Sequence, residues 1–238
     1  MQVAERLDTV WSAIEAAAQR SGRSPSEITL VAVSKKKSVD ELRSYEQAAR
    51  AKGFPVVFGE NYIQELKGKR EALGSGIEIH MIGPLQSNKV KDAVSLCDVI
   101  ESVHNTKILM LIAEAARSRS KIQRIFLQVN IGDDPNKSGF TEEQVREAIE
   151  MAAVNRDAIE LMGLMTITPF EEDPEMARRY FADLADLRSD LINEQFAVQF
   201  SDGRIRLSMG MSADFSIAIE QGADLVRVGT ALFGERAT

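Results

Sequence analysis

The amino-acid sequence predicts a single closed (β/α)8 barrel of the TIM type with an additional N-terminal helix, and three observations carry that prediction. Short apolar runs alternate with segments of helical period along the whole 238-residue chain, an order that demands parallel strands joined by crossover helices. Several runs are apolar at consecutive positions instead of every second one, the pattern of strands buried on both faces. The runs number eight, which favours a closed barrel over an open doubly wound sheet, and such a barrel needs roughly 250 residues. No break in composition marks a second domain, so residues 1–238 are read as one domain.

Taken in order, Val3, Leu7, Val10, Trp11 and Ile14 recur at helical spacing and predict an amphipathic helix over Gln2–Arg20, ended by Gly22 and Ser24-Pro25. Strands are predicted near Ile28–Ser34, Val56–Gly59, Ile77–Ile82, Val99–Val103, Arg124–Asn130, Leu161–Ile167, Arg206–Met209 and Leu225–Val228. Helical segments fall between them at Val39–Ala51, Asn61–Leu73, Thr106–Ser118, Glu142–Ala153, Pro174–Ile192 and Ala213–Gln221, with a further short helix after the eighth strand. The longest irregular pieces, Ile131–Gly139 and Asn193–Gly203, read as surface loops.

With 44% hydrophobic, 27% charged and 6% aromatic residues, the composition is that of an ordinary globular protein. A formal net charge of -7 argues against nucleic acid as a partner, because phosphates would be repelled unless a local basic patch prevailed. No run of about 18 apolar residues is present, so no membrane span is expected. One cysteine, Cys97, and an N-terminus without an apolar signal core lead to the expectation of a cytoplasmic protein. His80 and His104 lie far apart in sequence, with no cysteine or carboxylate cluster at ligand spacing, and no metal site is expected.

In a barrel of this type the site forms where strands end and helices begin. The first strand ends in three cations, Lys35, Lys36 and Lys37. A lysine partly desolvated beside other cations loses proton affinity, and a neutral amine is what attacks an aldehyde to make a Schiff base. The competing reading is three solvated charges opening a loop. At the other end of the chain, "LSMGMSADF" (207–215) ends the seventh strand and "VRVGTALFGE" (226–235) ends the eighth. Barrel folds recurrently bind phosphate in these loops. Ser208, Gly229 and Thr230 fit that task, as hydroxyl donors and a close-approaching backbone, although a turn glycine and two helix caps would read the same way. The eighth strand adjoins the first in a closed barrel, so a lysine and a phosphate cradle would face one another across the mouth.

Seven blocks, "ITLVAVSK" (28–35), "FGENYIQE" (58–65), "HMIGPLQSNK" (80–89), "KSG" (137–139), "GLMTI" (163–167), "LSMGMSADF" and "VRVGTALFG", occur in one order over essentially the whole chain. Together they resemble the pyridoxal phosphate homeostasis proteins, also called the YggS or PROSC type. The resemblance implies a barrel similar to the N-terminal domain of alanine racemase, carrying pyridoxal 5'-phosphate (PLP) bound covalently through Lys35. It also implies that Ser208, Gly229 and Thr230 hold the phosphate, that Arg227 lies near the pyridine nitrogen, and that Asn61 lies near the ring. An arginine in that place disfavours protonation of the ring and makes it a weak electron sink. Alternatives stand for two of these: a salt bridge inside the barrel for Arg227, and an N-cap of the following helix for Asn61. His80 reads as a satisfied core histidine. Lys36 and Lys37 occupy places where the family often has other residues.

The related racemases complete their site with a second domain and a partner subunit. The chain reaches Thr238 just beyond the last barrel element, so the expectation is a monomeric carrier or buffer of PLP without catalytic turnover, in transient contact with apo PLP enzymes. The alternatives are a PLP-dependent racemase-like enzyme of low activity, which needs a second acid–base group over the ring, and a Schiff-base aldolase acting on a phosphorylated sugar.

Overall fold

Eight parallel strands close on themselves in chain order: β1 (Thr29–Val33), β2 (Val57–Glu60), β3 (Glu78–Met81), β4 (Val99–Val103), β5 (Gln123–Gln128), β6 (Ile159–Met165), β7 (Arg206–Ser208) and β8 (Leu225–Val228). Closure is made by β8 against β1, with Thr29 opposite Leu225 and Val31 opposite Arg227. The predicted barrel is the one found. The structure is a computed structural model that describes residues 2–74, 76–132, 137–169 and 173–235.

The helices among these residues are α1 (Val3–Arg20), α2 (Val39–Ala51), α3 (Ile63–Arg70), α4 (Val90–Leu96), α5 (Thr106–Arg117), α6 (Glu142–Val154), α7 (Arg178–Asn193), α8 (Phe215–Glu220) and α9 (Thr230–Phe233). Their starts follow local chemistry. Ser38 and Glu41 form a capping box on α2, Thr141 and Gln144 another on α6, and the Asn105 side chain accepts from the Ile108 amide on α5. Strand ends differ from expectation by up to two residues, and the helix predicted at Asn61–Leu73 is trimmed to α3. The segment predicted at Pro174–Ile192 divides into a 3-10 turn, Pro174–Ala177, and α7. Helix α4 was not expected: only Val90, Ala93 and Val94 of its residues are buried, too few to establish a period. Of the two expected loops, Asn193–Gly203 folds into two 3-10 turns, Phe196–Gln199 and Ser201–Gly203. The other, Ile131–Gly139, is spanned by a bridge between Val129 and Phe140, and its residues 133–136 lie outside the described residues, as do residues 1 and 236–238 of the predicted domain.

Two apolar layers result from the alternation of side chains along each strand. The outer layer joins strands to helices. There α1 buries Leu7, Val10, Ile14, Ala17 and Ala18 and packs across α2, α8 and α9, while Trp11 stacks on Phe54 at 4.0 Å between ring centroids. The inner layer fills the barrel axis with Val31, Val57, Val99, Phe126, Met165 and Leu225. Its membership settles the parity that the sequence left open. In β1 Val31 faces the axis and Val33 follows it in register, and Lys35 lies beyond the strand, in the turn after Ser34.

Phe126 is the largest of the inner side chains and is 1% exposed. Phe126→Ala is expected to cost about 3–5 kcal/mol of stability through the cavity it leaves, read as a lowered urea midpoint at unchanged slope.

Candidate functional site

The C-terminal ends of the strands bring the candidate residues together. Beyond β1 the chain continues its pairing for one residue, the Ser34 amide donating to the Gly59 carbonyl at 3.0 Å. It then turns at Lys35 and at Lys36, which takes a left-handed φ of 58°. Lys35 is half-buried at this turn, whereas Lys36 is exposed. Lys37 is directed elsewhere: its ammonium pairs with Glu41 at 3.2 Å, donates to the Phe233 carbonyl at 3.4 Å and lies over the Phe233 ring. The three cations of one run thus have three different surroundings, and Lys37 ties the turn to α9.

The loops after β7 and β8 meet beside that turn. Gly210, at φ 90°, bends the chain sharply after β7, where a Cβ would fall 2.5 Å from the Ala218 Cβ. The bend delivers Ser212, whose hydroxyl oxygen accepts from the Gly229 amide at 3.1 Å and from the Ala231 amide at 3.4 Å. Gly229 passes so near the end of β1 that a Cβ on it would stand 3.3 Å from the Val33 Cβ. Backbone donors and two hydroxyls, of Ser212 and the exposed Thr230, therefore gather within reach of the lysine strand, an arrangement suited to an anion. Ser212 was missed by the sequence reading; its only signal was its place in the loop after the seventh strand.

The structure places Ser208 inside the barrel. It is fully buried; its hydroxyl donates to Glu101 Oε2 at 2.5 Å and accepts from Arg227 Nη1 at 2.7 Å. Both its donor and acceptor functions are committed inside the barrel, and Ser212 takes the place beside the cradle. Arg227, 4% exposed, also donates through Nη2 to the Thr166 carbonyl at 2.7 Å. Burial lowers the Arg227 pKa from its ordinary value, against the fields of Glu101 and Asp214. An arginine starts high enough to remain a cation.

Behind Ser208 runs a ladder of alternating charge. Glu101 Oε1 lies 2.5 Å from His80 Nδ1, His80 Nε2 lies 3.1 Å from Glu78 Oε1, and Arg124 pairs with Glu78 at 3.0 Å near the N-terminal end of the barrel. His80 is buried and bonded at both ring nitrogens, so the reading as a satisfied core histidine holds. Burial alone would lower its pKa, but the hydrogen bonds and charges of Glu101 and Glu78 prevail and raise it to about 9. Glu101 is held below the ordinary carboxylate range: burial is the largest single influence and opposes this, but the hydrogen bonds from His80 and Ser208 and the charges of His80 and Arg227 together outweigh it. The hydrogen bond from His80 likewise lowers Glu78.

Asn61 sits just after β2. It is not the cap of α3, since Tyr62 intervenes and makes no side-chain cap bond, and the buried Asn61 Oδ1 has no hydrogen-bond partner. An unpartnered buried carbonyl at the mouth, a backbone cradle for an anion, a buried cation and a half-buried lysine in the adjoining turn make a donor and acceptor set that fits PLP. Among the described residues no cluster of His, Cys, Asp and Glu could hold a metal ion, and no helix is long and apolar enough to cross a membrane.

Residues 7–237 match the family model of the alanine racemase N-terminal domain. The pyridoxal phosphate homeostasis protein of Aquifex aeolicus (strain VF5) is 36% identical over 237 residues, covering 99% of each chain. PipY of Synechococcus elongatus PCC7942, solved with PLP bound, superposes with a TM-score of 0.83 at 30% identity, covering 98% of this chain and 100% of that one. An alanine racemase of Clostridium difficile 630 has a TM-score of 0.70 at 18% identity, over 100% of this chain and 56% of the other, a likeness of fold alone.

The His80 ladder sets a pH dependence. The folded protein keeps the imidazole proton to about pH 9 while the unfolded chain loses it near 6.5, so folding takes up a proton between those values and stability falls as pH rises through them. The loss is on the order of 3 kcal/mol. Glu78 and Glu101 act in the opposite sense, their contribution being lost on acidification below the ordinary carboxylate range. Urea unfolding between pH 6.5 and 9.5 is expected to show the decline in the wild type and to flatten in His80→Gln; equal slopes would contradict the assignment.

Proposed function

Because this chain belongs to the alanine racemase N-terminal domain family, and within it to the pyridoxal phosphate homeostasis proteins, we propose that it binds pyridoxal 5'-phosphate covalently through Lys35 and carries or buffers it in the cytoplasm without turning over a substrate. The observation that carries this reading is the convergence, at one end of the barrel, of the Lys35 turn with the cradle formed by Ser212, Gly229 and Ala231.

Each residue has a separable part. The Lys35 amine would hold the ligand's aldehyde covalently, with loss of one water, so that binding would be reversible by hydrolysis. The loop of Ser212, Gly229 and Thr230 would receive the anionic end, the anion replacing the Ser212 hydroxyl as acceptor for the Gly229 and Ala231 amides. Arg227 would offer a permanent cation to the pyridine end of the ligand, and a cation there disfavours a protonated pyridine nitrogen. When bound, PLP supplies an electron sink for carbanions; next to Arg227 that sink is weakened, which favours storage over catalysis. Asn61 turns an acceptor toward the mouth. The protein acts as a monomer that hands PLP to apo enzymes after release or in transient contact.

Borohydride treatment of the PLP-loaded protein is expected to fix one pyridoxyl group on residue 35, found by peptide mass spectrometry, and Lys35→Ala is expected to lose both the yellow absorbance and the adduct. A wild-type protein that forms neither would overturn the proposal. Alpha-proton exchange on a panel of amino acids is expected to stay at the level of free PLP; exchange that requires Lys35 would replace the carrier reading with the racemase-like one.

A further inference from the structure

Helix α3 reaches the Lys35 turn from outside the barrel. Lys69, in the last turn of α3 and 7% exposed, puts its ammonium 2.7 Å from the Ser34 carbonyl oxygen, 3.0 Å from Glu60 Oε1 and 2.5 Å from Glu65 Oε1. Glu65, one turn earlier on the same helix, accepts the Lys36 backbone N–H. The two contacts fall on either side of Lys35, on the carbonyl of the residue before it and the amide of the residue after it. The Ser34 hydroxyl completes the ring by donating to Glu60 Oε1 at 2.7 Å, within reach of the Gly59 carbonyl at 3.2 Å.

Three features indicate that this arrangement constrains the turn. Lys36 is a non-glycine residue in the left-handed region, which costs roughly 1 kcal/mol and persists where neighbouring contacts oppose it. Only Ile63, Leu66 and Lys69 of α3 are buried, so the helix docks with a narrow apolar face and its charged groups carry the attachment. Glu60 lies buried beneath it with Oε2 unpartnered. Lys69 is thus the cation that both buried or half-buried carboxylates share, and its removal would leave them facing each other across the turn.

We propose that Lys69 and Glu65 are positioning residues for the ligand amine: the α3 clamp fixes both peptide units flanking Lys35, and its integrity sets how fast the bound aldehyde is released. The proposal rests on Lys35 as the ligand amine. Hydrolysis of the linkage adds one water and returns a free lysine amine and the aldehyde, still held by its anionic end. A clamped turn keeps the amine in place for re-formation, so most hydrolysis events are unproductive; an unclamped turn lets the amine swing away before the bond is remade.

The test compares Lys69→Met and Glu65→Ala with a control on the same helix, Lys67→Met, whose wild-type ammonium pairs with Asp92 on α4 outside the clamp. Release of PLP from the loaded proteins is followed by trapping the free aldehyde with excess semicarbazide, and exchange of the Lys36 amide is followed in the unloaded proteins. Both clamp variants are expected to release PLP about tenfold faster, the effect of losing one charge-assisted hydrogen bond, and to exchange the Lys36 amide faster, with the borohydride adduct still on Lys35. The Lys67→Met protein is expected to match the wild type. Should Lys69→Met fail to fold, Glu65→Ala decides alone, because Glu65 lies nearer the surface. Release and Lys36 exchange within twofold of wild type in the folded clamp variants would overturn the proposal. A wild type without any adduct would instead end the reading of Lys35, and the exchange measurement would still judge the clamp.

Discussion

Everything at the mouth depends on the pairing of β8 with β1. That contact joins residues 29–32 to 225–228 and sets Arg227 level with Val31 and Gly229 beside Val33. A register shift of one residue would turn Arg227 outward into the helical layer and Val226 or Val228 inward, since successive side chains in a strand point to opposite faces. The register is protected by the inner layer, where Val31, Leu225 and their neighbours fill the axis. Apolar packing halfway along the barrel thereby fixes the positions of polar groups at its end.

A guanidinium, two carboxylates and an imidazolium inside a barrel would be costly as isolated charges. Here they alternate in sign, Glu78, His80 and Glu101 being joined by direct hydrogen bonds and Glu101 and Arg227 through the Ser208 hydroxyl. Ser208 separates Glu101 from Arg227 and relays between them, so the arginine is restrained without being directly neutralised. This is a different solution from the clamp on α3, where one ammonium serves three acceptors at once. The inner ladder braces Arg227; the outer clamp braces the turn at Lys35.

The barrel was legible because eight apolar runs separated by helical segments leave few other topologies. What stayed hidden was whatever depended on contacts between distant strands. That a serine ends the seventh strand is visible; that Glu101, 107 positions away, claims its hydroxyl is not. Hence Ser208 was read as a phosphate contact and Ser212 was overlooked. The partner of His80 at Glu78 lies two residues off on the same strand face and was open to inspection, whereas Glu101 was out of view. Lys35 carried a distinctive sequence context, yet the run of three lysines concealed that Lys36 has a left-handed backbone and that Lys37 belongs to α9. Helix α4, short and weakly periodic, left no trace that a pattern search would find.

The closing strand is also the last of the eight to be synthesised. Until residues 225–228 emerge from the ribosome, β1 presents a bare, apolar edge, and neither the contact of Gly229 with Ser212 nor the buried Arg227 is in place. Nascent chains therefore hold an unprotected template for mispairing, with three lysines immediately downstream as the nearest source of mutual repulsion. The mouth of the barrel, where the loops after β7 and β8 meet the turn after β1, takes shape only when the ring is complete.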